Sequence, residues 1–242
     1  MTIVSHFCNL KHLHHSIFAP QTLAMIRRAI LFLSVPLLLS ACEDSNTNNS
    51  KATRTSVSKT DDRDKWQNPY EVLNLWGDNL DGKRIMEVGS NDGYWTFKLA
   101  KTGAYVIAAD FSEARLEAIM ERAEELGLEN RIGTRLITVN DPFLQPSEMD
   151  MVWAINVYST LPDRAEFFAK VHNGLKKEGQ LVIVDWLVTQ TEHGPPVSER
   201  IAGKSAMDDM DKAGFYDVAL RTNVLPEMWV MVAQNVPEEA FY

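Results

Sequence analysis

The sequence predicts an α/β sandwich: a mostly parallel, seven-stranded sheet with helices on both faces, closed by an antiparallel C-terminal hairpin strand. Three observations carry the prediction. Buried-strand and helix patterns alternate along residues 84–187, as parallel strands joined by crossover helices require. A glycine turn, Gly89 to Gly93, links the first strand to the first helix, and a carboxylate closes the strand that follows. Finally, Pro226 separates two short apolar strands at the end of the chain, which favours a hairpin.

The elements follow in order. Pro69 to Trp76 is a short helix with proline at its first turn, placed to cover a ligand crevice. Ile85 to Val88 is the first strand. In the turn after it, Gly89 and Gly93 lack a Cβ, so the backbone turns sharply and a ligand can lie against it. Asn91, between them, tolerates left-handed backbone. Tyr94 to Lys101 is a helix, and Tyr105 to Ala109 is the second strand, closed by Asp110. Ser112 caps a helix in which Leu116, Ile119, Met120 and Ala123 share one face and Gly127 marks the end. Arg135 to Val139 is the third strand and Met149 to Ile155 the fourth. Asp163 opens a helix with Phe167, Phe168, Val171 and Leu175 inward, and Leu181 to Leu187 is the fifth strand. After a Gly-Pro-Pro loop, Gly194 to Pro196, come a helix near Ser198 to Ala213 and strands near Phe215 to Arg221 and Met228 to Gln234.

These elements define one domain, residues 66–242, which contains no cysteine. Disulfides, thiolate metal sites and cysteine nucleophiles are thereby excluded within it. No metal site is expected. A formal net charge of -9 and the lack of a basic stripe argue against a nucleic-acid partner.

The chemistry concentrates between Arg84 and Asp110. Glu87 and Asp110 end neighbouring strands at the carboxyl edge of a parallel sheet, where such folds bind ligands. Asp110 can accept from two ribose hydroxyls, and Glu87 can take loop amides or a cationic group. The dinucleotide pattern G-x-G-x-x-G would fall on Gly89, Asn91 and Tyr94, a poor match that disfavours an oxidoreductase. The stretch instead resembles motif I of the class I S-adenosylmethionine-dependent methyltransferases, E/D-x-G-x-G-x-G, with Glu87, Gly89, Asn91 and Gly93 in those places. Glu-Val-Gly-Ser-Asn-Asp-Gly is also similar to a variant found in some sugar C-methyltransferases. Further blocks resemble the small-molecule members: Val157 to Asp163, Leu175 to Trp186, His193 to Pro196, Glu199 to Ile201 and Ala213 to Phe215.

The resemblance implies a Rossmann-like class I methyltransferase fold, S-adenosyl-L-methionine as cofactor and a small-molecule methyl acceptor. It implies a cofactor cradle of Glu87, Gly89, Ser90, Asn91 and Gly93, with Asp110 at the ribose, Asn140 or Asp141 at the adenine amine and Asn156 beside the sulfonium. Tyr158 and His193 are candidate bases, although in-line methyl transfer does not oblige a strong one. Ser159 and Thr160 stand where the related pattern often has two histidines. The Asn-Pro-Pro-aromatic signature of nucleobase methylation is absent, since Val157 follows Asn156. A non-catalytic binding module of the cell envelope would share every one of these cradle residues.

The envelope enters through the N-terminus. Residues 1–24 hold four histidines and read as a misassigned start. Residues 25–42 carry Arg27 and Arg28, an apolar run and small residues, the features of a signal peptide. Leu39-Ser40-Ala41-Cys42 resembles a bacterial lipobox, in which Cys42 would be the lipid anchor. Residues 43–65, polar and without an aromatic, read as a flexible linker. The resemblance implies a lipid-anchored protein of the bacterial cell envelope, on the periplasmic side, or in the cytoplasm if the signal is not used.

Overall fold

The computed structural model describes residues 59–77 and 79–235. The expected start, signal and anchor, with Cys42, lie outside the described residues. Within them, seven strands form one sheet: β1 (Arg84–Val88), β2 (Tyr105–Asp110), β3 (Ile132–Leu136), β4 (Met149–Ile155), β5 (Leu175–Trp186), β6 (Tyr216–Arg221) and β7 (Met228–Gln234). Their order is β3-β2-β1-β4-β5-β7-β6. The pairs from β3 to β5 are parallel, while β7 runs antiparallel between β5 and β6. The expected mixed sheet with its antiparallel C-terminal hairpin is therefore present.

Strand periodicity divides the core into two layers, because successive side chains face opposite sides of a sheet. Ile85, Val106, Trp153 and Val182 pack on one face with α3 (Tyr94–Lys101) and α4 (Glu113–Glu125). Met86, Ile107, Val152 and Ile183 pack on the other with α5 (Arg164–Gly174) and α6 (Gly203–Lys212). Such doubly covered strands read as continuous apolar runs, which is why β1, β2, β4 and β7 lie close to where the sequence places them.

Four boundaries differ from expectation. The third strand is Ile132–Leu136, not Arg135 to Val139: its ladder to β2 runs from Val106 and Ile132 to Asp110 and Leu136, so the inner neighbour sets the register. Leu136 and Val139, which suggested the later strand, are exposed. β5 begins at Leu175, well before Leu181, because Leu175 pairs with Met149 ahead of an irregularity in the ladder. The helix expected from Ser198 divides into a 3-10 turn, Val197–Glu199, and α6.

The fourth difference concerns the linker. Residues 59–65 belong to α1 (Lys59–Gln67), followed by α2 (Pro69–Leu73) and a 3-10 turn, Asn74–Trp76. Helical structure thus begins upstream of Trp66. With almost no apolar residues of its own, α1 is held by tertiary contacts: Arg63 pairs with Asp92 at 2.7 Å and Lys98 with Asp64 at 2.8 Å. The indole of Trp95 donates to Gln67 at 2.6 Å, and Tyr94 donates to Asp64.

Candidate ligand site

A cavity of about 540 Å³ opens at the carboxyl ends of β1, β2 and β4. Its floor is the turn after β1. Gly89 has a φ of +75°, and a Cβ there would lie 2.8 Å from Val157, so the residue must be glycine for both conformation and space. The turn is sewn to β2: the amides of Gly89 and Ser90 donate to the Ala109 carbonyl at 2.8 and 3.1 Å, and the Ser90 hydroxyl donates to the same oxygen at 3.0 Å. Asn91, as expected, adopts left-handed backbone with φ of 51°.

Asp110 is 1% exposed and locks the same turn. One carboxylate oxygen accepts the Asn91 amide at 2.9 Å; the other accepts the Ser112 amide at 3.0 Å, with the Arg115 guanidinium at 3.5 Å. Glu87, 3% exposed, accepts a hydrogen bond from the Thr96 hydroxyl through one oxygen. Burial pushes its carboxyl up to about 8, against the pull of that hydrogen bond. The ligand-free site therefore holds Glu87 largely protonated at neutral pH.

Asn156, at the end of β4, has positive φ (54°), and its side-chain oxygen is buried without a partner. A buried acceptor left unpaired costs about 1–3 kcal/mol, and it lies on a residue of the cavity wall. The site therefore has the polar gap that a bound donor would close.

Of the residues the sequence nominates, Glu87, Gly89, Ser90, Asn91, Asp110 and Asn156 meet around this cavity. Gly93 does not line it; with φ of 76°, it opens α3, and a Cβ there would meet Phe97 and Ile119. Asp141 is also outside the lining. Its carboxylate accepts the Phe143 amide at 2.7 Å and faces Lys170 at 3.4 Å, the turn preceding β4 that Pro142 suggests. The Asn140 carbonyl accepts from Lys170 at 2.8 Å.

The two candidate bases part company. Tyr158 does not line the cavity: fully buried, it donates to Asp209 at 2.6 Å. Burial and that carboxylate push its phenol far above the usual range. His193 is half-buried; its Nδ1 lies 3.1 Å from Glu227, and its ring stacks on Trp66 with centroids 4.5 Å apart. Trp66 lines the cavity and His193 does not, so one aromatic ring separates the imidazole from the ligand space.

Sequence reasoning missed the contribution of α1, whose Arg63, Trp66 and Gln67 line the cavity. The only available signal was Arg63 close before Trp66 in a polar stretch, and a polar stretch reads first as linker. It also missed Arg200, which donates to the carbonyls of Leu187, Thr189, His193 and Pro195 and so shapes the loop after β5.

Comparison with known proteins agrees with this architecture. Residues 86–181 match the family profile described as "Methyltransferase domain". A curated relative, "Methyltransferase GfsG" of Streptomyces halstedii, is 33% identical over 112 residues, covering 46% of this chain and 40% of the relative. The chain spans less than half the length of the curated relatives it matches. A solved S-adenosylmethionine-dependent methyltransferase from Aquifex aeolicus superposes with a TM-score of 0.64 at 22% identity, covering 69% of this chain and 89% of that one. Haemonchus contortus phosphoethanolamine N-methyltransferase 2, in complex with S-adenosyl-L-methionine, gives 0.59 at 15% identity over 72% of this chain and 53% of that one. The fold is the one these methyltransferases share.

Proposed function

We propose that this domain is a class I S-adenosylmethionine-dependent methyltransferase that acts on a small molecule by in-line methyl transfer. The observation that carries the reading is the convergence of Glu87, Asp110 and the unpartnered Asn156 oxygen on one cavity floored by Gly89. When bound, the cofactor supplies a methyl group already activated by its sulfonium. The chain supplies position. Asp110 would hold the ribose hydroxyls, Glu87 the ammonium group, and Asn156 a donor near the sulfonium. Arg63, also on the wall, brings positive charge for a carboxylate.

Of the remaining wall residues, Trp66, Gln67, Trp95, Ile155 and Thr160 carry no formal charge and Arg115 faces Asp110 at 3.5 Å, which suits a neutral acceptor. Alignment and exclusion of water account for most of the catalysis such a transfer needs. Tyr158 is unsuited as a base, because its hydroxyl is already committed to Asp209. His193, backed by Glu227, remains suited to proton transfer wherever Trp66 moves aside.

Calorimetric titration with S-adenosylmethionine and S-adenosylhomocysteine tests the reading, with micromolar affinity expected for both. A folded domain that binds neither would sink it. Binding without transfer to any acceptor would favour the non-catalytic envelope module instead.

We further propose that the chain is lipid-anchored through Cys42 at a bacterial membrane, outside the cytoplasm, on the strength of the lipobox resemblance at Leu39 to Cys42. Cys42→Ser is expected to move the protein from the membrane fraction to the soluble fraction. Unchanged partitioning would refute the anchor.

A further inference from the structure

We propose that Glu192, His193 and Glu227 form a binding site for a borderline divalent cation of the Zn²⁺ type, clamping the loop after β5 to the β6–β7 hairpin. The site stands apart from the ligand cavity and does not depend on the methyltransferase reading. Each residue offers one ligand atom, and the three atoms lie within 4.8 Å of one another. An imidazole with two carboxylates is a donor set that zinc and its neighbours in the transition series accept.

The His193–Glu227 pair is already close to a coordinated geometry, and Glu192, exposed on the same loop, would close the set. His193 Nδ1 and the Glu227 oxygen are 3.1 Å apart, a gap now bridged by a proton. With metal–ligand bonds of about 2.1 Å, that separation subtends an angle of roughly 95° at an ion, so a small opening reaches tetrahedral coordination.

Two further features support the site. The imidazole plane is held from outside by Trp66, at an interplanar angle of 8°, which supplies the ring orientation a metal site needs. Among the described residues, no lysine or arginine forms an ion pair with Glu192 or Glu227; Glu227 instead accepts the backbone amides of Glu192 and His193 at 3.3 and 3.2 Å, which fixes its carboxylate beside the imidazole. Arg200, the nearest guanidinium by its contact to the His193 carbonyl, spends its donors on backbone carbonyls and Thr191. A dication would neutralise both carboxylates and displace the proton shared by His193 and Glu227.

The test uses the full chain stripped with chelator and titrated with Zn²⁺ by calorimetry and with Co²⁺ by absorbance and tryptophan fluorescence. Because residues 1–24 carry four histidines, the result is read as a difference between wild type and variants. The expected result is one saturable site weakened on the order of 100-fold in both His193→Ala and Glu227→Gln. Co²⁺ should quench tryptophan emission in the wild type. In Trp66→Phe most of that quenching should disappear while the absorbance titration persists. Metal binding identical in wild type and both variants, or no saturable site at all, would overturn the proposal and leave a simple His193–Glu227 ion pair. Far-UV circular dichroism confirms that each variant is folded.

Discussion

Asp110→Asn is expected to abolish measurable binding of S-adenosylmethionine and S-adenosylhomocysteine by a folded domain. Both Asp110 oxygens already accept backbone amides, from Asn91 at 2.9 Å and from Ser112 at 3.0 Å. A carboxylate has about four lone-pair sites, so roughly two remain for ligand hydroxyls. Asparagine keeps one oxygen and turns its NH₂ toward a backbone N–H, which loosens the turn as well as removing the acceptor. Two hydrogen bonds to a charged group, at about 1.5–3 kcal/mol each, correspond to a loss of at least 100-fold in affinity. Calorimetry reads the loss. An affinity within about threefold of wild type would take Asp110 out of the site.

Glu87→Gln should act in opposite directions on stability and on binding. The carboxyl of Glu87 rises from an ordinary 4.5 to about 8 on folding, because burial disfavours its charged form. The folded state thus binds this proton more tightly than the unfolded chain does. Its contribution is complete below pH 4.5 and is lost as pH rises toward 8. The slope through that window is at most about 1.4 kcal/mol per pH unit, a few kcal/mol in all. Glutamine cannot ionise and can still accept from Thr96. The ligand-free variant should therefore match the wild type near pH 5 and exceed it above pH 8, as urea unfolding at several pH values would reveal.

Binding should move the other way. A cationic ligand group needs Glu87 ionised, so wild-type affinity climbs with pH toward 8 and the titration releases a proton. The variant should bind weakly and with no such pH dependence. Parallel stability curves for the two proteins would show that Glu87 does not titrate in this window.

The place of these two carboxylates at the cavity was legible in the sequence because each falls at the carboxyl end of a short, mostly apolar strand, Glu87 just before a glycine turn. The same clarity places β4 and β7, which are covered on both faces. The register of β3 was not legible, since an edge strand takes its alignment from β2 and its exposed Leu136 and Val139 mislead. Nor was α1. Its charged residues carry no helical periodicity, and their meaning lies in partners far along the chain, Arg63 with Asp92 and Gln67 with Trp95. Asp141 lies outside the cavity lining, where its carboxylate accepts the Phe143 amide in the turn at Pro142. The pairing of His193 with Glu227 was likewise hidden, because it joins two loops that only the completed sheet brings together.

The place of β7 also sets the order of events in the protein's synthesis. The last strand to leave the ribosome is inserted between β5 and β6, and its ladder to β5 runs from Gln180 to Trp186. Until it emerges, β5 has an open edge and β6 has no neighbour on which to settle, so the nascent chain cannot finish its sheet. An open strand edge is a template for aggregation, so the interval before β7 pairs is the one in which the nascent chain needs protection.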